Sequence, residues 1–145
     1  MSTVRHFKDF GWEQVPLLAY KEGGPYKGVT RQVLFEGEPS LPVQWRYFEV
    51  EPGGHSTLER HAHIHYVVIL RGGGRCLVGT EISDIAEHDL IEVPSLEWHQ
   101  FRAAADAPLG FLCLVSAVRD RPQLPEANDL DGLGRDPAIA DFIRP

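Results

Sequence analysis

Between residues 32 and 118 the chain is a series of short runs in which apolar and polar side chains alternate with a period of two. In Trp45-Arg-Tyr-Phe-Glu-Val50, Trp45, Tyr47 and Glu49 project to one side, and Arg46, Phe48 and Val50 to the other. The pattern predicts strands over Gln32–Glu36, Val43–Val50, His65–Leu70, Arg75–Val78, Leu90–Val93, His99–Arg102 and Leu109–Val115. Turn chemistry separates them at Gly37-Glu-Pro39, Glu51-Pro-Gly-Gly54, Gly72-Gly-Gly74 and Ala107-Pro108. No stretch before Arg119 keeps a 3.6-residue period over a helical length. Short strands at this spacing predict an all-β sandwich or barrel. The ends differ from this middle. Residues 1–31 read as an N-terminal arm, and residues 119–145 as a proline-rich, acidic C-terminal tail in which Pro137–Ile143 can form a short helix.

Composition narrows the possibilities. The 145 residues suit one domain. Fourteen basic against 21 acidic side chains give a formal charge of −7, the wrong sign for a nucleic-acid footprint. The richest apolar run, Leu109–Val118, is far short of the roughly 20 residues of a membrane span. The first residues lack the apolar stretch of a secretion signal, and two cysteines, Cys76 and Cys113, imply no disulfide framework. A cytoplasmic protein that binds neither nucleic acid nor membrane is expected.

Four of the seven histidines fall within His55-Ser-Thr-Leu-Glu59-Arg-His61-Ala-His63-Ile-His65, and a fifth, His99, follows Trp98. A single histidine is usually a solvated or core-satisfied side chain. His61, His63 and His65 share one parity with Glu59, and imidazoles converging with a carboxylate make a transition-metal site. At about 3.3 Å per residue, Glu59 and His61 stand roughly 6.6 Å apart and can share an ion. His61 and His65 would lie about 13 Å apart on a straight strand, so a bend near Ala62–Ile64 is required.

These residues resemble the cupin motifs. In the first motif Gly53 opens, Glu59 takes the first histidine position, His61 the second, His65 the glutamate position, and Gly72 closes. In the second, Pro94 takes the proline and His99 the histidine. The glutamate and one histidine are thus exchanged, which keeps three imidazoles and one carboxylate. The glycine positions hold His88 and Leu96, and Ala103 replaces an asparagine, so the second motif departs further. The resemblance implies a single-domain cupin jelly-roll β-barrel over residues 32–118 with arms at both ends. It also implies one divalent transition metal held by Glu59, His61, His65 and His99, with His63 beside it in the pocket. A second ligand set, His61, His63, His65 and His99 with Glu59 as a base, stays open. Manganese is the first expectation for the metal; iron, nickel and zinc suit the same ligands.

Further stretches, Trp98-His-Gln-Phe-Arg102, Gly110-Phe-Leu-Cys-Leu-Val115 and Arg119-Asp-Arg-Pro122, resemble a small-cupin subgroup that includes methylsulfurylases of methylthioxylulose 5-phosphate. That resemblance implies a metalloenzyme of methionine salvage acting on a small polar metabolite. Cys113 would accept the methylthio group, His63 would move protons, and glutathione would serve as reductant. Cys113 also fits plain core packing, since a free cysteine behaves as a small hydrophobe. A non-haem iron dioxygenase and a non-catalytic small-molecule binder are the competing readings. Arg46, Arg60 and Arg102 are candidates for holding a phosphate, although alternation does not aim them inward. A homodimer is expected, because an arm carrying Phe7, Phe10 and Trp12 has little barrel to bury them on.

Overall fold

The computed structural model describes residues 3–145. Two-residue strands β1 (Phe7–Lys8), β2 (Gly11–Trp12) and β3 (Leu18–Ala19) precede the long strands β4 (Lys27–Phe35), β5 (Val43–His55) and β6 (His65–Val78). Then follow β7 (Glu81–Ala86), β8 (Leu90–Val93), β9 (His99–Ala103) and β10 (Leu109–Ser116), and the short helices α1 (Ala127–Leu133) and α2 (Pro137–Phe142). β10 pairs antiparallel with both β5 and β6, and β9 joins β6 back to β5. The sheet therefore closes into a barrel, which leaves these central strands no free edges. Its core is the inward face predicted by alternation: Phe48 and Val50 from β5, Val67 and Ile69 from β6, and Phe111, Cys113 and Val115 from β10.

Four differences from the strand expectations have physical causes. Glu51-Pro-Gly-Gly54 does not end a strand: it lies inside β5, which runs on to His55 with Gly53 at a positive φ of 76°. Gly72-Gly-Gly74 is not a turn either. β6 runs straight through it and changes partners there, from β8 and β10 to β7 and β9. Gly72 takes a positive φ of 65° against Pro108, and Gly74 lies against the Arg102 backbone with no room for a Cβ. The glycines thus let one strand turn a barrel corner. The first long strand begins at Lys27 rather than Gln32, because β3 and β5 pair with it on both sides. β7 was not expected, since Ser83 and Asp84 dilute its apolar pattern.

Both ends pack on their own barrel. Phe10 stacks on Tyr47 at 6.2 Å, and Trp12 meets the same ring edge-on at 5.4 Å. The arm therefore finds cover within the chain for two of its three aromatics, while Phe7 stays half exposed. At the other end, Asp136 caps α2 by accepting from the Ala138 amide at 2.8 Å, with Pro137 opening the helix. Leu133, Ile139 and Phe142 bury themselves with Leu58 and Leu77 in a second apolar cluster. Arg144 is tied to the buried Gln100 side chain, one residue from His99.

Candidate metal centre

One cavity of about 150 Å³ opens inside the barrel, and the expected site residues Glu59, His61, His63, His65, His99 and Cys113 all line it. His65 begins β6 and His99 begins β9. Glu59 bridges to His99 through reciprocal backbone hydrogen bonds of 3.2 and 3.0 Å. The required bend is present: Ala62 and His63 leave the extended path. It brings the His61 and His65 rings to 4.4 Å and the His61 and His99 rings to 4.8 Å.

Asp120, just beyond β10, fastens this bend. Its carboxylate accepts from the Ala62 amide at 2.7 Å, the His63 amide at 3.0 Å and His63 Nδ1 at 2.8 Å. The Ala62 amide, followed by the His63 ring, holds the Asp120 carboxyl well below the usual carboxylate range.

The ring tautomers follow from their partners. A carbonyl oxygen can only accept, so His61 Nδ1 donates to His63 O at 2.6 Å and His99 Nδ1 donates to Glu97 O at 3.0 Å. Each Nε2 is then a lone pair available to a cation. His61 Nε2 is buried without any hydrogen-bond partner. An orphaned acceptor of this kind costs stability unless something electrophilic occupies the space before it. His61, His65 and His99 each offer a nitrogen, all within 4.8 Å of one another. Bonds of about 2.1 Å to a shared ion require separations of roughly 3–4 Å, a small contraction away. Burial, then the neighbouring imidazoles, keeps His65 neutral, and burial pulls His99 down to about 4. Both rings are therefore in the form that binds metal at neutral pH.

Glu59 and His63 stand beside this trio. Glu59 is buried, and its Oε2 accepts from Lys21 Nζ at 2.8 Å. His63 stacks flat on His61 at 3.7 Å, and its Nε2 lies 3.3 Å from that of His65. Burial holds His63 below its ordinary value.

Cys113 faces the same space, buried, with Arg46 Nη2 donating to its Sγ at 3.5 Å. Burial raises the thiol pKa, and the Arg46 charge partly offsets this. Arg46 therefore does point inward. Arg60 and Arg102 do not line the cavity: Arg60 covers Trp98, and Arg102 donates to the Phe142 carbonyl at 2.8 Å. Tyr20, Lys21, Arg31 and Arg119 also line the cavity, and sequence reasoning did not single them out. Arg119-Asp120 entered only as part of a resembling stretch.

Comparison with known proteins agrees with this geometry. The "Cupin domain" family model matches residues 46–115. The chain is 56% identical over 136 residues to a 1-methylthio-D-xylulose 5-phosphate methylsulfurylase of Rhodospirillum rubrum, covering 92% of this chain and 86% of that protein. A cupin 2 conserved barrel domain protein from Rhodopseudomonas palustris superposes with a TM-score of 0.93 at 53% identity, covering 99% of this chain and all of that one. A cupin-2 domain protein from Rhodospirillum rubrum gives 0.87 at 54% identity over 93% and 91% of the two chains. With a closed antiparallel barrel, a convergent histidine trio and relatives this similar along nearly its whole length, the chain belongs to the cupin family.

Proposed function

We propose that this cupin removes the methylthio group from 1-methylthioxylulose 5-phosphate, or a close analogue, with Cys113 as the sulfur acceptor. The observation carrying this reading is a buried thiol in the same cavity as the imidazole trio, 3.5 Å from a guanidinium. The similarity to the Rhodospirillum rubrum methylsulfurylase supports the choice of substrate. His61, His65 and His99, with Glu59 as fourth ligand, would hold a divalent metal, manganese by preference, acting as a Lewis acid on the substrate carbonyl.

The protein's own groups carry the rest. His63, its Nδ1 engaged by Asp120, presents a neutral Nε2 that takes the thiol proton. The Arg46 charge favours the resulting thiolate. The thiolate attacks the substrate sulfur, a sulfur–sulfur bond forms, and the carbon–sulfur bond breaks with its electron pair moving toward the adjacent carbonyl. Protonation of that carbon completes deoxyxylulose 5-phosphate. The carbon has been reduced, and Cys113 is left oxidised as a methyl disulfide. An external thiol such as glutathione must reduce it before another turnover.

The test is intact mass after incubation with methylthioxylulose 5-phosphate and no reductant. Wild type should gain one methylthio group on the peptide spanning Phe111–Val115. Cys113→Ser should fold, bind metal and fail to turn over. No adduct, together with an unimpaired Cys113→Ser variant, returns Cys113 to core packing.

A further inference from the structure

We propose that Arg31, Arg46 and Arg119 form a phosphate subsite of this cavity, holding the anionic end of a substrate whose reacting end lies against the histidines and Cys113. The inference rests on the sugar-phosphate reading above and assigns the residues that would recognise the phosphate.

Register brings the three cations together. Arg46 on β5 is directly opposite Cys113 on β10. Arg46 is also opposite Val33 on β4, so Arg31, two residues away on the same face, is its diagonal neighbour. Arg119 comes from the segment after β10. Its Nη1 donates to the carbonyls of Ser116 and Ala117, and its Nη2 donates to Gln44 Oε1 at 3.1 Å. Gln44 lies two residues before Arg46, on the same face of β5. All three guanidinium-bearing side chains line the one cavity.

Their charges are uncompensated. Among the described residues, none of the three forms an ion pair with a carboxylate, and the sole carboxylate lining the cavity, Glu59, is engaged by Lys21. A chain with a formal charge of −7 has thus gathered unpaired cations at one place. Arg46 Nε is buried with no hydrogen-bond partner. Burial, then the Arg46 charge, lowers the proton affinity of Arg119, so like charges are held here against their repulsion. A dianion with several acceptor oxygens would satisfy the free donors and relieve that repulsion, and the guanidinium fork suits phosphate geometry. A monoanionic carboxylate would leave charge uncompensated.

The experiment uses metal-loaded protein with inorganic phosphate as probe and acetate as control. Calorimetry should show phosphate binding to wild type and little acetate binding. Arg31→Gln and Arg119→Gln should each weaken phosphate binding by about tenfold or more. These two positions are chosen because neither touches the thiol, and metal content and circular dichroism report that each variant is folded. With methylthioxylulose 5-phosphate, both variants should raise KM by a similar factor while kcat changes little. Phosphate binding no better than acetate, or both folded variants binding phosphate as wild type does, overturns the subsite. Phosphate binding lost in both variants, with no methylthio adduct ever formed on wild type, upholds the subsite and rejects the methylsulfurylase reading instead.

Discussion

The histidines and the arginines lining the cavity solve opposite electrostatic problems. Burial pushes the proton affinity of His65 and His99 down, and the backbone carbonyls of His63 and Glu97 fix the tautomers of His61 and His99, leaving each Nε2 as a lone pair. The guanidiniums have no carboxylate to neutralise them. Lone pairs attract a cation, and free N–H groups attract an anion. A cavity lined by both groups suits a substrate that carries an electrophilic carbonyl and a phosphate. Arg46 links the two groups, its Nη2 on the Cys113 sulfur and its charge also felt by His65.

The contrast can be broken most severely at the histidines. His61→Ala or His99→Ala should yield soluble protein that has lost nearly all its metal by elemental analysis, because one of three convergent nitrogens is gone. Running Glu59→Ala and His63→Ala alongside assigns the fourth ligand: the expected loss follows Glu59, and metal lost only with His63 would give the position to that ring. A smaller effect is expected from Asp120→Ala, which touches no metal-facing nitrogen but unfastens the bend carrying the ligands. Metal affinity should fall by about 10- to 100-fold, read by competition with a chelator, with little change in circular dichroism.

The smallest effect separates the two groups by pH. The metal-free protein should lose several degrees of melting temperature as pH falls from about 6.5 toward 4. In that window the unfolded chain protonates its histidines at their ordinary value, whereas buried His99 takes its proton only near 4. The unfolded state therefore binds more protons and gains on the native state as pH falls. The arginines contribute nothing to this drop, since guanidiniums stay charged throughout. A flat melting profile over that range would show the imidazoles to be solvated rather than buried.

Sequence was most informative where chemistry and periodicity coincide. Three histidines at alternate positions implied a shared face, and the length of an extended strand then demanded the bend found at Ala62–His63. Strand parity likewise put Phe111, Cys113 and Val115 on the inward face. The arginine group was not legible in this way. Arg31 reaches the cavity through a strand that starts earlier than its apolar pattern suggests, and Arg119 through a segment with no periodicity at all. Lys21 and Tyr20 come from an arm whose position depends on a turn through Gly23 and Gly24. Residues delivered by loops carry no spacing signal, because their neighbours in the cavity are distant in the chain. The glycines of β6 misled for a related reason: close approach to a backbone and a tight turn ask for the same residue.

The Asp120 fastening has a consequence for the order in which the molecule is made. Every proposed metal ligand has been synthesised once His99 has emerged, yet the carboxylate that holds their bend comes later, after the strand that closes the barrel against β5 and β6. A nascent or truncated chain ending before Asp120 would carry His61 and His63 on an untethered bend, able to meet an ion but not to grip it. Firm metal uptake would then mark a finished barrel, and a metal-dependent colour or relaxation signal would time the last step of folding.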